Sequence, residues 1–376
     1  MSATARGPWG AWRWAWLALG VALLTWLGWG LAVVRPERAA RSAPPAGELR
    51  GAWHVHTTRS DGLGTLAEVL QAARQAGLQF VVVTDHNLLA PEDAGWHDGV
   101  LVIEASEASS RFGHVVAVGI PRALTPGERG AEPLEAIAAL GGQAVLAHPF
   151  HARRPWSGWE RGPWRGIEVV SNDTSWGEIT VGRGWGRLLP GLAALPFDGA
   201  RAVIGLVPAT HREEAVLEAG LRSGAARTRR EDGSAAPPRV LLCSADAHGY
   251  PSYRAAFEAF SMHVPVRVTG DAMVDGKAVL AALLDGRASC VFDGVAPASG
   301  IRLGGVAGGE LRLSAEASLV GSESLLWSGG VVVASGVVEP GAIRFACAGG
   351  CGPGIYRAVV RRGGRPWIFT NPVVIE

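Results

Sequence analysis

Apolar and polar positions change period along this chain, and the changes divide it. The uncharged run from Trp14 to Val34 is apolar on every side. At about 1.5 Å per residue it is long enough to cross a hydrocarbon layer of about 30 Å. Trp9, Trp12, Trp14, Trp16, Trp26 and Trp29 suit interfacial anchoring. The run predicts an uncleaved single-pass transmembrane helix rather than a signal peptide, whose apolar region is about 7–15 residues. Arg6 and Arg13 precede it and Arg35, Arg38 and Arg41 follow it, so charge does not set the orientation. A short tail with a large domain behind it favours an extracytoplasmic catalytic domain. Ser42 to Gly47, with Pro44 and Pro45, reads as a linker.

From Leu49 strand and helix periods alternate. Leu49–Thr57 reads as a strand. Thr65–Gly77 reads as a helix with a Thr65/Glu68 capping box and a terminal glycine. Gln79–Thr84 is an unbroken apolar strand of the kind buried on both faces in a parallel sheet. Val100–Ile103, His114–Gly119, Ala144–Ala147, Ile167–Ser171 and Val240–Ser244 continue as strands. Pro133–Leu140, Ser252–Phe260 and Gly276–Leu284 read as helices. Trp176–Arg230 is irregular and helical in pieces, and Arg227–Pro238 is a loop. The alternation predicts a parallel α/β barrel or sheet.

After about Pro297 the helical period stops. Short β-type runs at Leu311–Ala315, Leu325–Trp327, Val331–Ala334, Ile343–Ala346, Tyr356–Arg361 and Pro372–Ile375 alternate with glycine-rich turns. They predict a small β-sandwich without histidine. The expected division is 1–47 for tail, anchor and linker, 48–296 for an α/β domain, and 297–376 for the sandwich.

Charge adds an exclusion. With 35 Lys+Arg against 34 Asp+Glu, the net charge of +1 gives no footprint for nucleic acid. The 4 cysteines are too few for a disulfide framework. Cys243 and Cys290 read as buried small hydrophobes, while Cys347 and Cys351 are spaced to bridge in an oxidising compartment.

The chemistry begins at His54-Val55-His56. Side chains two apart on a strand share a face, so both imidazoles can grip one ion, and Asp61 folds back on a Ser-Asp-Gly turn. His86, Glu107, His114, His148, Asp246 and His248 also fall at predicted strand ends or in the loops there. That is the face on which sites form in parallel barrels. Nine imidazoles and carboxylates exceed the needs of one ion. They suit two or three divalent ions of zinc, manganese or iron, and clustered ions serve displacement at phosphorus. Arg111, Arg153 and Arg154 are candidate phosphate contacts. His151, Asn172 and Asp173 are further candidates for the pocket.

Five segments resemble the motifs of the PHP (polymerase and histidinol phosphatase) family of metal-dependent phosphoesterases. They are His54 to Gly62, Thr84-Asp85-His86-Asn87, Ser106 to His114, Ala147-His148-Pro149, and Ser244 to Gly249, in the family's order. The resemblance also reaches membrane-anchored members with a C-terminal β domain. It implies a distorted (β/α)7 barrel and three ion positions. One would use His54, His56, Glu107 and Asp246. A second would use Asp61, His86 and His148. A third would share Glu107 and add His114 and His248. Glu107 is preferred over Glu104 by its distance to Gly113-His114. Asp85 is read as a partner that orients a neighbour. Asp61 stands where many members have histidine.

The implied activity is hydrolysis of a phosphomonoester or phosphodiester, small or lipid-like, by attack of a metal-bridging hydroxide, with Asp61, Asp246 and His248 in catalytic roles. The alternatives are a catalytically silent domain that binds an extracytoplasmic ligand or partner, and hydrolysis of a non-phosphate ester or amide by the same ions.

Overall fold

The computed structural model describes residues 9–33, 44–182, 185–207, 238–306 and 309–375. The expected loop Arg227–Pro238 lies outside the described residues except for Pro238, as do Ser42 and Ala43 of the linker and Val34 of the apolar run.

The apolar runs become strands of one large sheet. β1 (Leu49–Val55), β2 (Phe80–Val83) and β9 (Val240–Ala247) are buried at every position. β8 (Gly166–Ser171) is buried throughout too, while β4 (Val100–Glu104) and β7 (Gln143–Leu146) are buried except at one end residue each. Burial on both faces is why they read as continuous hydrophobic runs. β1 pairs in parallel with β2 and β9, β2 with β4, and β8 with both β7 and β9.

The expected all-parallel order breaks between β4 and β7. Beyond Ala105 the chain forms β5 (Ser106–Ser110), which pairs antiparallel with β6 (Gly113–Val118), and β6 pairs antiparallel with β7. The short β3 (Gly95–His97) lies antiparallel on β4. The polar Ser106-Glu107-Ala108-Ser109-Ser110 carries no apolar signal, so no strand was expected there. A tight turn at Arg111-Phe112 reverses it, with Gly113 at φ 119°, where only glycine is at ease. The ladder runs β4, β2, β1, β9, β8, β7, β6 and β5, and β5 meets the chain beyond β2 through a single bridge between His86 and Glu107.

Helices cover the sheet. α2 (Leu66–Gln75) carries the expected capping box, with Thr65 and Glu68 each bonding the other's backbone amide. α3 is Pro126–Ala131, α4 Pro133–Ala139, α5 Asn172–Thr180, α6 Trp185–Ala194, α7 Gly199–Leu206, α8 Tyr253–Ala259 and α9 Ala272–Leu284. β10 (Ser261–Val264) runs antiparallel to β1 and to β11 (Ser289–Val291).

The N-terminal expectation needs correction. α1 (Trp9–Val33) forms, but among the described residues no helix is long and apolar enough to cross a membrane. Arg13, Thr25 and the run of tryptophans and glycines lower its hydropathy. Trp26 in its C-terminal half touches the rest of the chain, while Leu23, Leu24, Leu27 and Trp29 stay exposed: the Trp26 ring meets Phe197 edge-on at 5.0 Å, and its indole donates to the Ala193 carbonyl at 3.1 Å. Gly30 sits where a Cβ would strike the Phe197 ring.

The C-terminal strands are antiparallel: β12 (Arg302–Val306), β13 (Glu310–Ser314), β14 (Ser322–Ser328), β15 (Val331–Glu339), β16 (Ala342–Ala346), β17 (Gly354–Arg362), β18 (Arg365–Thr370) and β19 (Val373–Ile375). Leu311, Leu313, Leu326, Phe345, Ala358 and Trp367 share a separate apolar cluster. β18 pairs with β11, so the strands continue directly from the preceding ones. Cys243 and Cys290 are not free hydrophobes but a disulfide joining β9 to β11, with Cα atoms 5.9 Å apart. Cys347 and Cys351 are also bridged.

Candidate metal centre

The site residues are delivered by strand ends and by the loops that follow them. The grip at β1 does not follow regular alternation. His54 has φ 69°, and the register of β1 slips against both neighbours between 52 and 55. This irregularity brings the two rings together, with Nε2 of His54 2.9 Å from Nε2 of His56. The following turn is closed by the amides of Ser60 and Gly62 on the Thr57 carbonyl, and it presents Asp61. Asp85 accepts from the Thr57 amide at 2.8 Å, the Thr57 hydroxyl at 2.7 Å and the Ser60 hydroxyl at 2.5 Å. It therefore shapes the loop that carries Asp61.

The centre of the site is the Glu107 carboxylate on β5, 1% exposed. Its Oε1 lies 2.8 Å from His114 Nδ1 and 2.9 Å from His148 Nε2. Its Oε2 lies 3.1 Å from His54 Nε2, 3.2 Å from His56 Nε2 and 3.2 Å from His86 Nδ1. Asp246, at the end of β9, has Oδ1 3.5 Å from the Nε2 atoms of both His54 and His56. Its Oδ2 accepts from the Ser171 hydroxyl at 3.2 Å. Asp61, half exposed, lies 3.4 Å from His86 Nε2 and 3.4 Å from His248 Nε2. The rings of His56 and His248 stack at 4.2 Å.

The nine residues come together, but not in the expected partition. His148 joins His54 and Glu107, with Nε2 facing Glu107, rather than Asp61 and His86. His248 joins His56, Asp61 and His86 rather than His114. The reason is positional. The β9 loop carrying His248 lies beside the β1 loop, where the Leu63 amide donates to the His248 carbonyl. His148 follows β7, next to the β6 strand that carries His114.

Glu104 does not reach the cluster. It accepts from the Ala90 amide at 3.2 Å, and burial pushes its carboxyl up to about 8. Of the arginines, Arg154 approaches the site, with Nη1 3.5 Å from His114 Nε2. Arg111 lies over the Phe112 ring at 4.6 Å, and Arg153 is exposed. His151 is buried with its ring edge-on to His148 at 5.6 Å. Asn172 is buried in the first turn of α5, and Asp173 follows it.

One group was missed. Glu168, buried in β8, accepts from Trp53 Nε1 at 2.8 Å, contacts His54 Nδ1 at 2.7 Å and accepts from the His148 amide at 2.9 Å. Its signal in the sequence was an acid inside an apolar strand run.

The electrostatics follow from crowding. Burial disfavours charge on His54, yet Glu168, Asp246 and Glu107 together hold its pKa well above the ordinary value. Burial also opposes charge on His148 and His248, and the neighbouring carboxylates raise each to about 9. Burial lowers His114. Burial would raise Glu107, but His54 and hydrogen bonds from His114, His148 and His54 hold it well below. Hydrogen bonds from His248 and then His86 depress Asp61. Without another cation, imidazolium protons balance the acids.

The donor set fits divalent cations. Asp246 Oδ1 is buried without a hydrogen-bond partner, facing the two imidazole nitrogens. An acceptor in that position is costly unless a proton or cation meets it. Mixed nitrogen and carboxylate donors suit transition-type ions more than all-oxygen ones.

No family model matches the chain. A phosphoribosyl 1,2-cyclic phosphate 1,2-diphosphodiesterase of Eggerthella lenta is 33% identical over 113 residues, which are 27% of this chain and 38% of that protein. An uncharacterized protein of Methanocaldococcus jannaschii is 26% identical over 121 residues, covering 27% of this chain and 68% of that protein. A solved two-domain protein of Bacteroides vulgatus, described as containing a predicted PHP-like metal-dependent phosphoesterase, is 14% identical. It covers 88% of this chain and 96% of its own, at TM-score 0.37. A solved amidohydrolase of Chromobacterium violaceum is 16% identical over 35% of this chain and 84% of its own, at TM-score 0.24.

Proposed function

We propose, for a chain that belongs to the PHP family of metal-dependent phosphoesterases, that it hydrolyses phosphate esters at a three-ion centre. The observation that carries this reading is the single buried Glu107 carboxylate with five imidazoles around its two oxygens. A carboxylate so placed can bridge ions, and five separated segments have to fold together to supply the set. We assign His54, His56, Glu107 and Asp246 to one ion, Asp61, His86 and His248 to a second, and Glu107, His114 and His148 to the third. The parallel ladder, with the His86–Glu107 bridge linking β5 to the chain beyond β2, is read as the distorted (β/α)7 barrel of the family, residues 48–296 as the hydrolase domain and 297–376 as a β-sandwich.

Bound ions would polarise the phosphoryl group and lower the pKa of water. The protein's own groups do the rest. Glu107, Asp246 and the imidazoles fix where the ions sit. Arg154, beside His114, is placed to meet charge on a phosphoryl oxygen. Asp61 and His248 form the solvent-facing edge, so a leaving-group oxygen entering from solvent meets them first. Asp246 lies behind them, buried.

The substrate is a phosphorylated small molecule, mono- or diester, and the ions are zinc, manganese or iron. We place the domain in an extracytoplasmic, oxidising compartment, which the two disulfides support. The test is metal analysis together with hydrolysis of p-nitrophenyl phosphate and bis-p-nitrophenyl phosphate. Two or three ions per chain and turnover that falls by at least about 10²-fold in His56→Ala are expected. A metal-loaded protein inert towards both esters would refute the assignment.

A further inference from the structure

We infer that Glu168 is a positioning residue that sets the tautomer of His54 and anchors the backbone of His148, and so controls metal affinity without being a ligand. The inference rests on the metal-binding part of the proposed function, not on the phosphoesterase part.

Three contacts converge on this carboxylate, which is 1% exposed. Two come from groups that can only donate: the Trp53 indole to Oε1 and the His148 amide to Oε2. The third is His54 Nδ1, 2.7 Å from Oε1. Both oxygens already accept from groups that can only donate, so the carboxylate is the acceptor in this contact too and the hydrogen belongs to Nδ1. The lone pair of a neutral His54 then sits on Nε2, the atom facing His56 Nε2, Glu107 Oε2 and Asp246 Oδ1. A metal-binding imidazole needs this arrangement: one nitrogen free for the ion, the other held by a hydrogen bond.

The same carboxylate addresses backbone strain. His54 and His148 both adopt positive φ, 69° and 28°, a region that costs non-glycine residues energy and persists only when neighbours hold it. Glu168 holds the first by its side chain and the second by its amide. One acid thereby couples ligands from β1 and from the loop after β7. Their sequence distances from it, 114 and 20 residues, hide the relation from the sequence.

Glu168→Gln is the discriminating variant because it keeps shape and the oxygen that accepts from Trp53 or His148. Its amide nitrogen is a donor: at the Oε1 position it faces the Trp53 indole and His54, turning Nδ1 into the acceptor, and at the Oε2 position it faces the His148 amide, so either orientation releases one of the two residues Glu168 holds. The expected result is zinc affinity, measured by chelator competition, that is about 10–100-fold weaker. Glu168→Asp, which keeps the charge, is expected to recover part of the affinity. Independently of any variant, ¹⁵N spectra of histidine-labelled, zinc-loaded wild type should show His54 protonated at Nδ1 and ligated through Nε2. His54 ligated through Nδ1, or unchanged zinc affinity in Glu168→Gln, overturns the inference. A wild type that takes up no zinc, manganese or iron refutes it along with the metal centre. Zinc binding as described in a protein inert to phosphoesters supports it and refutes only the phosphoesterase reading.

Discussion

Glu107 and Glu104 are three residues apart, yet their environments drive them in opposite directions. Glu107 meets imidazoles that hold it ionised, while Glu104 meets apolar burial and one amide. With its pKa raised from 4.5 to about 8, Glu104 binds a proton more tightly in the folded state than in the unfolded chain. Its contribution to stability is therefore fully present below about pH 4.5 and is lost as pH rises towards 8. Glu104→Gln should flatten the fall in thermal midpoint between about pH 4.5 and 8 and leave zinc uptake unchanged. A variant with the same fall as wild type would show that Glu104 is not the titrating group. The proposed partition makes a second prediction. His248→Ala should remove one ion, the one shared with Asp61 and His86, and leave those at Glu107, whereas Glu107→Gln should deplete two or more. Metal analysis after dialysis distinguishes these outcomes.

The β5–β6 hairpin is the element on which the site turns, because it carries both Glu107 and His114. Its turn depends on Gly113. A Cβ there would lie 3.0 Å from the Trp156 Cα at φ 119°, so alanine meets both strain and backbone. Gly113→Ala should destabilise the fold by about 1–3 kcal/mol and weaken metal binding at the same time. Thermal unfolding and chelator competition on the same sample read both; normal metal affinity would show that the hairpin adapts. This hairpin also marks the limit of periodicity. β2 was legible because Phe80 to Val83 is apolar throughout, and α2 because Thr65 and Glu68 mark its start. β5 was not, because its residues were selected for chemistry and pairing rather than for burial of apolar surface.

At the scale of the molecule, two disulfides and the packing of α1 were not readable from local pattern. Cys243 and Cys290 are 47 residues apart, and their runs look like ordinary buried strands. By loop-closure entropy this link contributes about 4 kcal/mol, and the four-residue Cys347–Cys351 link about 2 kcal/mol. Cys243→Ala with Cys290→Ala should lower the thermal midpoint clearly more than Cys347→Ala with Cys351→Ala. Equal losses would show that loop length does not govern here. α1 read as a membrane span because its composition is apolar all round, but Trp26 and Gly30 are matched to Phe197 on another part of the chain.

The sequence by itself determined the alternation of strands and helices, the change of texture near Pro297, and the identity of nine imidazoles and carboxylates at strand ends. Those properties are local: side-chain period and chemistry are carried by neighbours in the chain. Tertiary structure decided which of these groups face one another, placing His248 with Asp61 and His148 with Glu107, and it disclosed Glu168 and the Cys243–Cys290 link. Each of these depends on which strand ends meet. That is fixed by the register and order of the sheet, and no short stretch of sequence contains it.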